Sequence, residues 1–202
     1  MGLKVNLGSG EFPKPGYVNV DFYSLADPDI KHDLNVFPWP FATDAIDELE
    51  ADHVLEHLED PFAIMTEIHR VVRHGGRVSI RVPHFSRGFT HPDHKRGFNV
   101  SLPLFFDPGF QGGYAGVPFE LKQLRLHWFA QPYLKKVSLP GTMYWFGVGL
   151  GSVCDFFANF SPYFCSRVWC YLVGGFDEIH FELIVRKDEA AKVGTGLVGN
   201  VR

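Results

Sequence analysis

The spacing of the first two apolar runs constrains this chain more than any other feature. Leu3 to Leu7 reads as a short buried strand that ends in Gly8-Ser9-Gly10, and Tyr17 to Val20 reads as a second one ending at Asp21. A crossover between parallel strands ordinarily takes a dozen or more residues and a helix. Here only Ser9 to about Pro15 separates the runs, and the link to a weaker third run, Ile30 to Leu34, is short as well. Parallel pairing therefore requires vestigial early helices, and a sheet face left without helices needs another cover. The aromatic segment 143–176, or a second subunit of a homodimer, is expected to supply it.

The remaining pattern alternates strand and helix. Residues 35–41 hold Pro38 and Pro40 and must be loop. Ile46 to Ala51 is a fourth strand, with acids alternating against apolar residues. After Asp60 and Pro61, the spacing of Phe62, Ile64, Met65, Ile68, Val71 and Val72 predicts an amphipathic helix, closed by Gly75-Gly76. Arg77 to Val82 alternates as a fifth strand. Two late strands are expected at 119–128 and 179–186. The predicted fold class is α/β: a Rossmann-like, mostly parallel sheet of seven strands or slightly fewer, with truncated early helices and an aromatic-rich C-terminal insertion. One domain spans 1–188, with a loop region at 84–116, an aromatic lid or insertion at 129–176, and a frayed tail at 189–202.

Bulk properties narrow the function classes. The 202 residues carry a formal net charge of −4, which argues against a nucleic-acid binder relying on a broad basic face. The three cysteines lie in one late segment with no CxxC pair, as expected of reduced thiols in a cytoplasmic protein. No long charge-free apolar run suggests an integral membrane segment. Peripheral membrane contact through the aromatic stretch stays open, although that stretch lacks a Lys/Arg-rich polar face.

Several residues stand where chemistry is expected. Glycines after a first strand allow a sharp turn and close backbone approach by a ligand, and an acid closing the second strand can accept from both ribose hydroxyls. Gly8, Gly10 and Asp21 thus make a nucleoside site plausible. Asp33 could accept from an adenine amino group, but an Asp-x-Asn turn through Asn35 explains it equally. Beyond the fifth strand, His84, His91, Asp93 and His94 sit on the edge where open α/β sheets bind ligands. One of these histidines, oriented by Asp93, is the expected general base. His53, Glu56 and His57 invite a metal reading, to which the HPDH stretch at 91–94 could add ligands, but their H-V-L-E-H order is not H-E-x-x-H, and no metal is expected.

The succession VNLGSG, VNVD, DLNVFPWPF, IDELEADHVLEHLEDP and EIHRVVRHGGRVSIRVPH resembles the type 11 class I methyltransferases, in particular a compact subgroup with shortened early helices. The resemblance covers roughly residues 3–100, and WCYLVGGFDEIHFELIVRK is similar to the same subgroup. The family's Lys/Arg-Pro-Gly-Gly turn here has His74 in place of proline. The resemblance implies S-adenosyl-L-methionine as cofactor. Leu7, Gly8, Ser9 and Gly10 would border its methionine and ribose, Asp21 would take the ribose hydroxyls, and Phe22 would lie beside the adenine. Asp33 and Leu34 would flank the adenine edge, and His53 would lie near the sulfonium. The expected activity is methyl transfer to a small-molecule or glycan acceptor. The competing expectations are a metal-dependent hydrolase built on the histidines and a non-catalytic binding module.

Overall fold

A computed structural model describes residues 2–23, 27–88 and 91–188. Its strands are β1 (Lys4–Leu7), β2 (Val18–Asp21), β3 (Ile30–Lys31), β4 (Ile46–Asp52), β5 (Val72–Pro83), β6 (Phe119–His127) and β7 (Glu178–Val185). They form one sheet in the order β3-β2-β1-β4-β5-β7-β6. The first five are parallel, and β7 runs antiparallel to both its neighbours. The predicted seven-stranded Rossmann-like sheet is therefore observed. The expected tail at 189–202 lies outside the described residues.

Alternation along each strand divides the sheet into two unlike faces. Val5, Leu7, Leu49, Ala51, Val78, Ile80, Val82, Ile179, Phe181 and Leu183 are buried on one face. This face is covered by α1 (Pro61–Val71), the short helices Leu55–His57 and Leu102–Phe106, and the loop bearing Leu34 and Trp39. Asp60 caps α1 by accepting from Phe62 N–H (2.9 Å) and Ala63 N–H (3.2 Å). Ile64, Met65, Ile68 and Val71 are buried, each contributing about 1.5–3 kcal/mol relative to exposure.

The helix stops at Val71, earlier than its apolar period suggests. Val72 takes extended geometry and pairs with Ile46, while the ladder resumes only at Glu48 and Arg77. The Arg-His-Gly-Gly stretch is thus absorbed into β5 as an irregularity, with Gly75 at φ +74°. Sheet pairing of β-branched Val72 outweighs one further helical turn.

The opposite face is polar, which corrects the expected aromatic cover. Lys4 pairs with Glu48 (2.8 Å) and Lys14 with Asp52 (2.8 Å) and Glu50. Tyr17 donates to Glu48 (2.6 Å) and Glu50 (2.9 Å), and Arg77 bridges Glu48 and Glu182. Asn6 donates to Asn19 (3.0 Å) across β1 and β2. Cross-strand polar pairs let this face meet water, so it needs no apolar layer. The aromatic segment packs elsewhere: α3 (Gly141–Ala158) lies against β6. Asp155 of α3 accepts from Trp128 N–H (2.6 Å), and Asn159 bonds both backbone groups of Leu126. Trp145, Phe146, Phe156 and Phe160 point outward from this region. None of the described helices is long and apolar enough to cross a membrane.

Candidate functional site

The turn of strand order falls between β1 and β4, and open α/β sheets bind ligands beyond the carboxyl ends of strands at that point. Gly8 follows β1 there with φ +61°. A Cβ on Gly8 would lie 2.5 Å from the Val54 side chain, so both conformation and space demand glycine. Gly10, at φ +49°, donates its N–H to Asp21 Oδ2 (2.8 Å). The other oxygen, Oδ1, accepts from Tyr23 N–H (2.8 Å). The carboxylate closing β2 thereby ties down the turn after β1 and remains on the cavity wall.

That cavity holds about 730 Å³. Gly8, Gly10, Asp21, Phe22, Asp33, Leu34 and His53 all line it, as do Val54, His57, Asp93 and His94. Leu7 is buried in the core beneath the turn. Ser9 instead borders an adjoining cavity of about 780 Å³, with Asn6, Phe12, Lys14, Asp52, Gln131, Tyr133 and Leu134. Gly8, Gly10 and His53 are common to both cavities. Tyr133 and Leu134 come from α2 (Pro132–Ser138), and no residue of 143–176 borders either cavity. The part of the expected lid that reaches the site is therefore α2, while the aromatic stretch does not.

His53 sits where the cavities meet. It has φ +54° after β4, with Nε2 2.7 Å from Glu178 Oε2 and Nδ1 3.2 Å from Glu56 Oε1. Burial disfavours its charged form, but the Glu178 and Glu56 carboxylates overcome that and push its pKa up to about 9. At neutral pH the ring is an imidazolium whose two N–H groups both face carboxylates. It holds Glu178 and Glu56 in place and has no lone pair to act as a base.

The segment after β5 separates the remaining histidines. Phe98 N–H bonds Pro83 O (2.9 Å), Phe85 N–H bonds Phe98 O (2.8 Å), and Lys95 N–H bonds Glu56 O (2.9 Å). These bonds hold 91–98 against Pro83, Phe85 and Glu56, so that Asp93 and His94 reach the cavity and His91 stacks beside His94 with ring centroids 5.1 Å apart. His84 goes the other way. It is 0% exposed, with Nδ1 2.7 Å from Ser86 Oγ and Nε2 2.7 Å from Ser166 Oγ. Desolvation lowers its pKa to about 4. The expectation that His84 could serve as general base is corrected: it is a satisfied core residue that touches neither cavity.

Several contributors had no signal strong enough to single them out. Glu178 lies at the start of β7, far along the chain from His53, and was visible only as one acid in a strand. Lys14, Asp52, Gln131 and Tyr133 likewise join the second cavity only through the fold. Ser9 Oγ and Asp52 Oδ1 are buried there without a hydrogen-bond partner among the described residues.

A Rossmann-like sheet with a reversed seventh strand, and a glycine turn facing a carboxylate at its switch point, defines the class I methyltransferase fold. Solved structures agree with it. The YcgJ protein of Bacillus subtilis is 14% identical, with a TM-score of 0.51 and 92% of both chains covered. An S-adenosylmethionine-dependent methyltransferase from Mesorhizobium loti is 12% identical, with a TM-score of 0.52 and 90% of both chains covered. Phosphoethanolamine N-methyltransferase 2 of Haemonchus contortus, in complex with phosphomonomethylethanolamine and S-adenosylhomocysteine, is 15% identical, with a TM-score of 0.51. It aligns with 93% of this chain, which spans about half (49%) of that protein. No curated protein sequence matches the chain.

Residues 23–80 match the family model of a methyltransferase domain. The chain thus carries a match to a methyltransferase domain over part of its length, on the fold of the class I S-adenosylmethionine-dependent methyltransferases. The comparisons lend no support to a metal-dependent hydrolase or a non-catalytic module. The residues present fit the cofactor. Gly8 leaves room where any side chain would collide with Val54, and the orphaned Asp52 and Ser9 oxygens supply acceptors beside it.

Proposed function

We propose that this enzyme methylates a small molecule or a glycan, with the cofactor lying along Gly8–Gly10 and across the junction at His53. The paired cavities carry this reading. The first offers Asp21 to two ribose hydroxyls, with Phe22, Leu34 and Val54 as apolar walls for a purine and Asp33 at its edge. The second offers Asp52 and Lys14 as opposite charges for the ammonium and carboxylate of the methionine end. S-adenosylmethionine supplies an electrophilic methyl group when bound. The protein's task is then to align an acceptor with it and exclude water.

Acceptor size follows from the walls. Phe12 and Tyr133 meet edge-to-face at 5.3 Å and are both more than half exposed beside the second cavity. Such rings suit the flat faces of a sugar or another compact molecule. The net charge of −4 disfavours a nucleic-acid acceptor. On this reading 1–188 act as one domain, in the cytoplasm. The wall bearing His91, Asp93 and His94 is where an acceptor's proton would leave.

The test is transfer of label from methyl-labelled S-adenosylmethionine into fractionated cell extract. Label is expected in small-molecule or oligosaccharide fractions. Label confined to nucleic acid or protein would overturn the acceptor class.

A further inference from the structure

Glu56, His57 and His94 converge on one wall of the first cavity, each offering an atom within 4.8 Å of the other two. Glu56 is 0% exposed. Its Oε1 meets His53 Nδ1 at 3.2 Å and lies 3.8 Å from His94 Nε2. Its Oε2 is buried with no hydrogen-bond partner among the described residues. A buried carboxylate oxygen left unpaired carries a cost of about 1–3 kcal/mol or more. Native structures rarely keep such an atom without a use for it.

The two rings are already oriented. His94 Nδ1 lies 2.6 Å from Gly88 O, and His57 Nδ1 lies 3.2 Å from Asp93 O. A carbonyl only accepts, so each Nδ1 is a donor, which leaves Nε2 as the ring atom that can offer a lone pair to a ligand. Metal-ligating histidines are held in this way, with the outer N–H on a carbonyl or carboxylate. His91 stands outside the set, because its Nδ1 accepts from Asp93 N–H (3.3 Å).

We propose that Glu56, His57 and His94 form a binding site for a divalent first-row transition-metal ion. Two imidazoles and one carboxylate occupy three positions and leave the others open. His57 and His94 line the cavity, so the open positions face the bound cofactor. Ligand bonds of about 2.1 Å would draw the three atoms together by about an ångström, within reach of side-chain rotation. An acceptor hydroxyl bound to the ion would release its proton to solvent more readily. This role rests on the methyl-transfer reading, whereas the ion's binding does not. The third ligand, His94, comes from the HPDH stretch and reaches the other two where Lys95 N–H bonds Glu56 O.

The experiment is titration of tag-free, chelator-stripped full-length protein with cobalt(II), followed by calorimetry and visible absorption. One equivalent is expected to bind. His57→Asn and His94→Asn should each weaken binding at least tenfold, with fold checked by circular dichroism. Asp21→Ala should leave cobalt binding within twofold. Absence of stoichiometric binding, or wild-type affinity in either histidine variant, overturns the site. A parallel titration with S-adenosylhomocysteine keeps the two readings apart. Cobalt binding without nucleoside binding sinks the cofactor assignment alone, and the reverse sinks the metal site alone.

Discussion

Replacing Asp21 by alanine tests the cofactor site where structure and binding are most tightly joined. The carboxylate is 7% exposed and accepts from Gly10 N–H and Tyr23 N–H, each at 2.8 Å. Tyr23 is 72% exposed, so water replaces the acceptor it loses. Gly10 sits in the turn and is less accessible, so its stranded N–H sets a stability loss of about 1–3 kcal/mol. The binding loss is separate. Two hydrogen bonds from ribose hydroxyls to a carboxylate are each worth about 1.5–3 kcal/mol. Water recovers part of that, leaving at least about 1.4 kcal/mol, or tenfold in Kd. Calorimetric titration with S-adenosylhomocysteine, well below the variant's unfolding midpoint, reads the affinity, and urea denaturation reads the stability. A folded variant whose Kd changes by less than about threefold would refute the placement of the ribose at Asp21.

Other consequences are equally direct. Gly8→Ala must hold alanine at φ +61° with its Cβ against Val54, so it should lose about 1–2 kcal/mol or more of stability and most nucleoside affinity, read by the same two assays. Asp60→Ala removes the cap of α1 and should cost about 1 kcal/mol in urea denaturation, with nucleoside binding unchanged. His84 has a folded pKa of about 4, below its ordinary 6.5. The unfolded chain therefore binds its proton first, and His84's contribution is complete above about pH 6.5 and lost as pH falls towards 4, by up to about 3 kcal/mol. The pH slope of stability across that window should flatten in His84→Gln, and an identical slope in the variant would refute the assignment.

Local pattern carried much of this architecture. Alternation of period two marked β4, β5 and β6, an apolar run marked β7, and the glycine turn and closing acid marked the ends of β1 and β2, because strand burial and turn conformation depend on neighbouring residues. The same alternation held the answer to the uncovered sheet face. Glu48, Glu50, Arg77 and Glu182 were legible as outward positions, but their pairing into a polar face needed the strand order.

The histidines show where the chain alone falls short. His84 and His94 stand in one loop region with equal claims to chemistry, and nothing in their spacing separates them. Hydrogen bonds from 95 to 56 and from 98 to 83 carry His94 to the cavity and leave His84 inside, against Ser166. Glu178 reaches His53 only because β7 enters the sheet antiparallel beside β5. Periodicity reports which side of an element is buried. Which distant segments share a cavity depends on contacts between residues far apart in sequence, and those exist only once the sheet is assembled.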